Sequence, residues 1–377
     1  GPGRETASLS AVIVSAIGAV FLLGAMIVMF TEAGTTDIER LMGHQFSTED
    51  VAVLGLDVVG GMQTLLCLAI ILGLCVKLPF WPFHAWHPNA MARAPLAAAI
   101  MLGAMLALLA GYGLLRIALP ILPSGILQLA PLVFTLAGIT ALYAAISALT
   151  QTDFRKIVAY LSLSQLSIAA MGVFSITRQG LDGAILLLIS QGLVIAGLLI
   201  CAGILAARQE STQLQAFGGL SIRMPVFSGL MLALIWFGLG LPGGAAFVAF
   251  FLTINGLAIA MPWLALAVFI SLAILAAALL GAFRKLMRGN LMKERLKSVE
   301  DLTWQERATL VPLVAAIICL GIFPSLVLER TGMATQRLVT LFEQERELAW
   351  GASPGPQDAA RVAIFEAGRA IHGQPVR

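Results

Sequence analysis

Lys77-Leu-Pro-Phe-Trp-Pro-Phe-His-Ala-Trp-His-Pro88 decides how this chain is read. An unbroken apolar stretch runs into it, and Lys77 is the only lysine inside the long apolar stretches of the sequence. Pro79 and Pro82 interrupt the helix that such a stretch forms, because proline lacks a backbone donor and clashes with the preceding turn. An ionisable group at bilayer depth is costly unless it faces polar groups or water, so it marks a route for protons or ions. A helix break at the same depth points the same way, since its freed backbone groups need protein or a water-filled cavity. A structural reading stands beside this one: the Lys77 ammonium caps carbonyls freed by Pro79 and Pro82.

Working outward, 59% hydrophobic and 11% charged residues over 377 positions exclude a soluble globular domain. A helix needs about 20 apolar residues to cross a bilayer. Nine stretches qualify, near 8–30, 52–78, 95–118, 128–150, 157–177, 181–206, 224–258, 262–283 and 305–323. The seventh is too long for one plain crossing and carries Leu241-Pro-Gly-Gly244, so Pro242 and Gly243 should divide it into two half-helices. The expected fold is therefore an all-α polytopic membrane protein of about nine transmembrane helices, two of them broken.

Alternating crossings gather Arg4, Arg93, Arg155, Lys156, Arg208, Arg223, Arg284, Lys285, Arg288, Lys293, Arg295, Lys297 and Arg307 on one side. The short loops of the other side hold Arg40, Arg116 and Arg178. The basic side is cytoplasmic by the positive-inside rule, with the N-terminus inside and the tail after residue 324 in the periplasm of a bacterial inner membrane. The net charge of +3 needs no nucleic-acid partner, because attraction of the 284–297 loop to anionic headgroups or to a neighbouring subunit accounts for it. Cys67, Cys75, Cys201 and Cys319 lack metal-ligand spacing and read as small packing residues. The first residue is Gly, which leads to the expectation that the chain is processed or is part of a longer product.

Four separated segments in register carry a resemblance. They are Lys77 to Ala90 with Arg93-Ala-Pro95, Thr152-Asp-Phe-Arg-Lys156 through Gln165, Phe217-Gly-Gly-Leu-Ser-Ile-Arg-Met-Pro-Val226, and Leu241-Pro-Gly-Gly244. In that order the chain resembles the antiporter-like subunits of complex I, within them the subunit M group of bacterial NADH-quinone oxidoreductases, to about Pro324. The resemblance implies fourteen helices with two inverted five-helix repeats, each holding one broken helix along a polar mid-membrane axis. It divides this chain into 1–94, the remainder of the first repeat (family helices six and seven); 95–127, helix eight; 128–303, the second repeat (helices nine to thirteen); 304–324, helix fourteen; and 325–377, an external amphipathic tail. Five family helices then precede Gly1, so the first repeat is incomplete here.

The function implied is proton translocation coupled to redox chemistry elsewhere in a larger assembly, through closely spaced titratable groups whose pKa values neighbours can move. Residue by residue, the resemblance keeps the helix-seven lysine as Lys77 and places the helix-five glutamate upstream of Gly1. It puts Leu108 where helix eight carries a lysine, Gln165 and Gln191 where histidines stand, and Phe250 where an acidic or basic residue follows the helix-twelve break. No Lys, Arg, His, Asp or Glu occurs from Ala94 to Leu115, or between Arg223 and Arg284, so a small shift in register does not restore a charge. Four replacements in one direction imply a broken proton path and a largely structural role, with water alone left to span an apolar stretch.

His84 and His87 beside Trp81 and Trp86 read as interface histidines at headgroup level, and no metal site is expected from this pair alone, because zinc takes at least three protein ligands. Asp57 reads as a helix-start residue. Gln63, Tyr112, Ser164 and Asn255 read as helix-to-helix hydrogen-bonding groups. The acidic loop from Thr31 to Asp50 has room for a short helix. Amphipathic stretches at 334–350 and 358–371 are expected to lie on the membrane or on a neighbouring subunit. With no Gly-rich fingerprint after a strand and no cysteine cluster, no cofactor is assigned to the chain, and quinone chemistry in the family lies elsewhere. Two function classes remain. One is a membrane-arm subunit of a respiratory NADH-quinone oxidoreductase, partnered by other membrane-arm subunits and by a chain supplying the N-terminal helices. The other is a subunit of a cation/proton antiporter or inorganic-carbon uptake complex, and a pure assembly protein is a weaker third.

Overall fold

The computed structural model describes residues 3–49, 51–53, 56–58, 60–288 and 299–349. Among them the chain runs as α1 (Arg4–Ala33), the short α2 (Ile38–Met42), β1 (Val51–Val53), β2 (Leu56–Val58), α3 (Gly61–Lys77) and α4 (Trp86–Arg93). Next come α5 (Leu96–Ile121), α6 (Pro123–Thr150), α7 (Phe154–Phe174), α8 (Arg178–Gln209), α9 (Pro225–Gly238), α10 (Ala245–Ala260), α11 (Pro262–Met287), α12 (Trp304–Ile322) and α13 (Ser325–Ala349). Seven helices are long and apolar enough to cross a membrane: α1, α5, α6, α7, α8, α11 and α12. Three shorter apolar helices, α3, α9 and α10, stand beside these seven.

Local chemistry starts the helices where the sequence offers it. The Asp153 carboxylate accepts the Arg155 amide at 2.9 Å at the head of α7, and Thr177 caps α8 through the Gly180 amide at 3.1 Å. Thr303 and Glu306 form a reciprocal capping box on α12. Pro123, Pro225 and Pro262 open α6, α9 and α11, where a missing N–H costs no hydrogen bond.

The centre of the bundle is α7 and α8. Almost every residue of α7 is buried, and α8 packs against α7, α9, α10, α12 and α13. At the edges α1 packs mainly on α3 and α4 and presents Val12, Val20, Leu23 and Met26 outward, as a lipid- or protein-facing helix does. Contacts collect the basic loops at one end: Arg93 donates to the Gly3 carbonyl, Arg155 to the Ala94 carbonyl, Arg208 pairs with Glu306 at 2.8 Å, and Ser221 donates to the Met287 carbonyl.

Three expectations change. The second stretch is not helical from residue 52, because Val51–Val53 and Leu56–Val58 pair as an antiparallel hairpin and the helix begins at Gly61. Gly60 and Gly61 adopt φ of 82° and 61°, and a side chain at Gly61 would run into the Glu49 carbonyl, so the chain turns sharply before entering the bundle. Asp57 is thus opposite Ala52 in the hairpin and not a helix-start residue. Cys67, Cys75 and Cys201 are buried as packing residues, but Cys319 faces outward from α12. The short helix in the acidic loop is present as α2, capped by Asp37 on the Glu39 amide.

The tail helix α13 lies on its own chain, across the non-basic ends of α6 and α8. Phe342 is buried there, Thr335 donates to the Asp182 carboxylate at 2.8 Å, and Ser124 donates to Glu345 at 3.0 Å. The second amphipathic stretch, 358–371, and the basic residues Lys293, Arg295 and Lys297 lie outside the described residues.

Candidate functional site

The residues singled out from the sequence fall around two helix interruptions. Lys77 is the last residue of α3, half-buried, and the chain leaves helical form from Leu78 to Ala85 around Pro79 and Pro82. Backbone groups freed by the break find partners nearby: the Phe80 amide reaches the Cys75 carbonyl at 3.1 Å, and the Trp81 amide donates to Thr140 Oγ1 on α6 at 2.9 Å. The Lys77 ammonium has no hydrogen-bond or ion-pair partner among the described residues, so it caps none of the carbonyls freed by the prolines.

Past this break the two histidines are not at a surface. His84 is 7% exposed and His87 1% exposed. The rest of the chain covers them, since α4 is packed between α1 and α7 and the His84 ring meets Tyr143 of α6 edge-on at 4.7 Å. Trp81 and Phe83 keep an outward face. Among the described residues no three His, Cys, Asp or Glu side chains gather as a metal site would require.

The second interruption, Leu239 to Gly244 between α9 and α10, is tied to α7. Gln165, 1% exposed, donates its amide to the Gly238 carbonyl at 2.5 Å, and Trp236 Nε1 donates to the Pro242 carbonyl at 3.1 Å. Gly240 adopts φ of 68°, and the Phe250 ring lies where its side chain would be, so Phe250 covers the turn. Gly243 is also left-handed, at φ of 104°.

Between the two breaks α5 carries a π-helical turn at Met101–Met105. Such turns release a carbonyl from the helix ladder, and here Gly103 uses it to accept Gln191 Nε2 at 3.1 Å and Ser162 Oγ at 3.4 Å. Gln191 Nε2 also meets Ser162 Oγ at 3.0 Å. Leu108, one turn beyond the π segment, faces α8 beside Gly192. Gln165, Gln191, Phe250 and Leu108 therefore all look into the interior shared by α5, α7, α8 and α10, whereas Lys77 belongs to the other break.

The interior is not purely apolar. Oε1 of Gln165, Oε1 of Gln191 and Oγ1 of Thr253 are buried without a protein partner. Each glutamine has its NH2 anchored on a backbone carbonyl and leaves its Oε1 as an unmet acceptor. A carboxamide has no titratable site near neutral pH, so this axis can bind water and cannot store a proton on a side chain. Of the other intra-span polar residues, Ser164 does bond across helices, to the Ala141 carbonyl of α6 at 3.1 Å, Gln63 reaches the Phe46 carbonyl at 3.4 Å, and Tyr112 faces outward.

Residues 2–276 match the family model described as NADH:quinone oxidoreductase/Mrp antiporter, TM. The chain belongs to this family. It is 38% identical over 324 residues to NADH-quinone oxidoreductase subunit M of Rhodobacter capsulatus, covering 86% of this chain and 63% of that protein. NADH-ubiquinone oxidoreductase chain 4 of Marchantia polymorpha is 31% identical over 323 residues, with the same coverage of 86% and 63%. Among solved structures, a chain of respiratory complex I from Thermus thermophilus with bound NADH superposes with a TM-score of 0.82 at 30% identity, over 91% of this chain and 70% of that one. A chain of the Mrp complex from Dietzia sp. DQ12-45-1b shares the fold, with a TM-score of 0.77 at 19% identity over 89% of this chain and 68% of that one. This chain spans 63% of the length of the first two relatives. The family expectation and the all-α membrane fold with broken helices both stand.

Proposed function

We propose that this chain is a membrane-arm subunit of a respiratory NADH-quinone oxidoreductase in a bacterial inner membrane, with its basic end cytoplasmic. In this reading it bridges neighbouring subunits while the proton path through its second repeat is broken. The observation that carries the second half is the occupancy of the interior axis by Leu108, Gln165, Gln191 and Phe250, with both amides anchored on backbone carbonyls. A proton entering such a stretch would sit on water in a low-dielectric interior, a state no side chain there relieves. Redox cofactors and quinone belong to other subunits of the assembly, and none is assigned to this chain.

The identities of 38% and 30% to NADH-quinone oxidoreductase and complex I chains favour this reading over an antiporter complex, for which the 19% match supports the fold alone. Further transmembrane helices, from this or a separate polypeptide, pack on α1. An apolar groove of about 280 Å³ between α1 and α3, floored by Val20, Phe21, Met62 and Leu65, supports that placement.

Protons pumped per electron in the assembled enzyme test the reading. Leu108→Lys combined with Phe250→Glu should raise the ratio, because the pair returns titratable groups to the axis. Proton flux traced through this subunit in the unaltered enzyme, together with an unchanged ratio in the double variant, would overturn it.

A further inference from the structure

The basic end of the bundle holds a cavity of about 360 Å³, lined by Thr152, Leu214, Gln215, Phe217 and Lys285 and by none of the residues at the two helix breaks. Its walls come from three places: the loop before α7, the loop after α8 and the last turn of α11. Short bonds fix them. The Leu214 amide donates to the Thr152 carbonyl at 2.8 Å and the Phe154 amide to the Thr212 carbonyl at 3.0 Å, and Thr152 Oγ1 donates to Gln213 Oε1 at 3.1 Å, so the two loops are laced together. On the third side the Gly219 amide donates to the Arg288 carbonyl at 3.1 Å and Ser221 Oγ to the Met287 carbonyl at 2.7 Å, which holds the end of α11 against the loop carrying Phe217.

Charge at this cavity is one-sided. Lys285 is exposed, and neither it nor Arg284 or Arg288 forms an ion pair among the described residues. Asp153, next to Thr152, does not line the cavity, and its carboxylate is taken by the Arg155 amide at 2.9 Å, Thr212 Oγ1 at 2.8 Å and Gln213 Nε2 at 3.4 Å. The helix dipole and the topology rule account for basic residues at the end of α11, but not for a lysine set at a cavity whose apolar lining, Leu214 and Phe217, is 4% and 8% exposed. A free phosphate ion stays hydrated and gains nothing from those two side chains. A phospholipid headgroup uses both parts, its phosphate on the cations and its glycerol on the apolar lining, and basic pockets between helices at headgroup depth bind such groups. That depth is set by α11, which is long and apolar enough to cross a membrane and ends at Met287.

We propose that this cavity binds the phosphate-bearing headgroup of an anionic phospholipid, with Lys285 as the principal contact and Arg284 and Arg288 adding charge. The site is independent of whether protons pass through the chain.

The test uses the assembly carrying the full chain, reconstituted in phosphatidylcholine vesicles that contain a trace of headgroup-photoactivatable phosphatidylglycerol. Peptides covering 212–217 and 284–288 should be labelled several-fold more than by photoactivatable phosphatidylcholine. Lys285→Gln should cut that labelling roughly fivefold, the worth of one cation at a headgroup surface, and Lys285→Arg should restore it. Arg223→Gln, which removes a charge from the same end outside the cavity lining, should leave it unchanged. Equal labelling by the two lipids, or an equal loss in Arg223→Gln, would reduce the site to general surface potential and overturn the proposal. Competition by inorganic phosphate at constant ionic strength would make it a free-anion site, and a map with an acidic segment of a neighbouring subunit in the cavity would make it a protein contact; either result also overturns it. Should Lys285→Gln fail to assemble, the comparison of the two lipids on the unaltered protein still decides.

Discussion

The two helix interruptions use the same device and are lined by different side chains. Each is a proline-containing gap that follows one of the shorter apolar helices, α3 before α4 and α9 before α10. In the second, the gap closes on itself: Gly238 and Pro242 carbonyls take donors from Gln165 and Trp236, and the Phe250 ring lies over Gly240. In the first, backbone groups are likewise met, by Thr140 and the Cys75 carbonyl, but the side chains are not. Lys77, His84, Trp86 and His87 stay unpaired. A broken helix therefore does not by itself bring ionisable side chains together. The distinction lies in whether ionisable groups or neutral amides line the gap.

The largest effect is expected where the second gap is sealed. Gly240→Val forces a β-branched residue to positive φ and drives it into the Phe250 ring, a cost of about 2–6 kcal/mol from backbone strain and overpacking together. Thermal unfolding of the detergent-solubilised protein should shift sharply downward, or the subunit should fail to accumulate. Tolerance of valine would mean the gap is loose and the comparison wrong. Next in size is Gln165→Leu, which strands the Gly238 carbonyl in the interior. Leaving a buried acceptor unmet costs about 1–3 kcal/mol, and Gln165→His, which can still present an N–H, should lose less. Equal melting temperatures for Leu and His at this position would show that the amide is not what closes the gap.

Much of this arrangement is legible in the sequence. The crossings follow from apolar length, and both interruptions follow from Pro79, Pro82 and Pro242, because proline acts on its own backbone whatever the surroundings. What the sequence hid was tertiary. Val51–Val53 and Leu56–Val58 are apolar enough to pass for the start of a helix, and only the left-handed Gly60 and Gly61 end that run. His84 and His87 sit among tryptophans, a composition typical of a membrane interface, and their burial comes from α1, α6 and α7, distant in sequence. The partners of Gln165 and Gln191 are backbone carbonyls released by a break and by a π turn. No residue pattern announces the π turn at Gly103. The tail helix read as amphipathic, but that its apolar side would meet α6 and α8 depends on Thr335 and Glu345 finding Asp182 and Ser124.

At the first gap the matching backbone test is milder. Thr140→Val removes the acceptor for the Trp81 amide, a part-buried bond and not a fully buried one. A loss of about 1 kcal/mol is expected, seen as a modest fall in melting temperature. A drop as large as that of Gln165→Leu would place the two gaps on an equal structural footing.

Lys77→Met separates structure from proton chemistry most directly. With no partner to lose, its effect on stability should stay within about 0.5 kcal/mol, below every change above. Its effect on pumping depends on what lies beyond. In the unaltered assembly, protons pumped per electron should not change if the proposed reading holds, because Leu108, Gln165, Gln191 and Phe250 offer no titratable side chain beyond it. With Leu108→Lys and Phe250→Glu in place, the same substitution should remove whatever gain that pair produces, since Lys77 is the one lysine inside the long apolar stretches that could supply the added groups. A fall in the ratio on Lys77→Met alone would instead show that charge already passes Gln165 and Gln191, and the two gaps would then be parts of one working route.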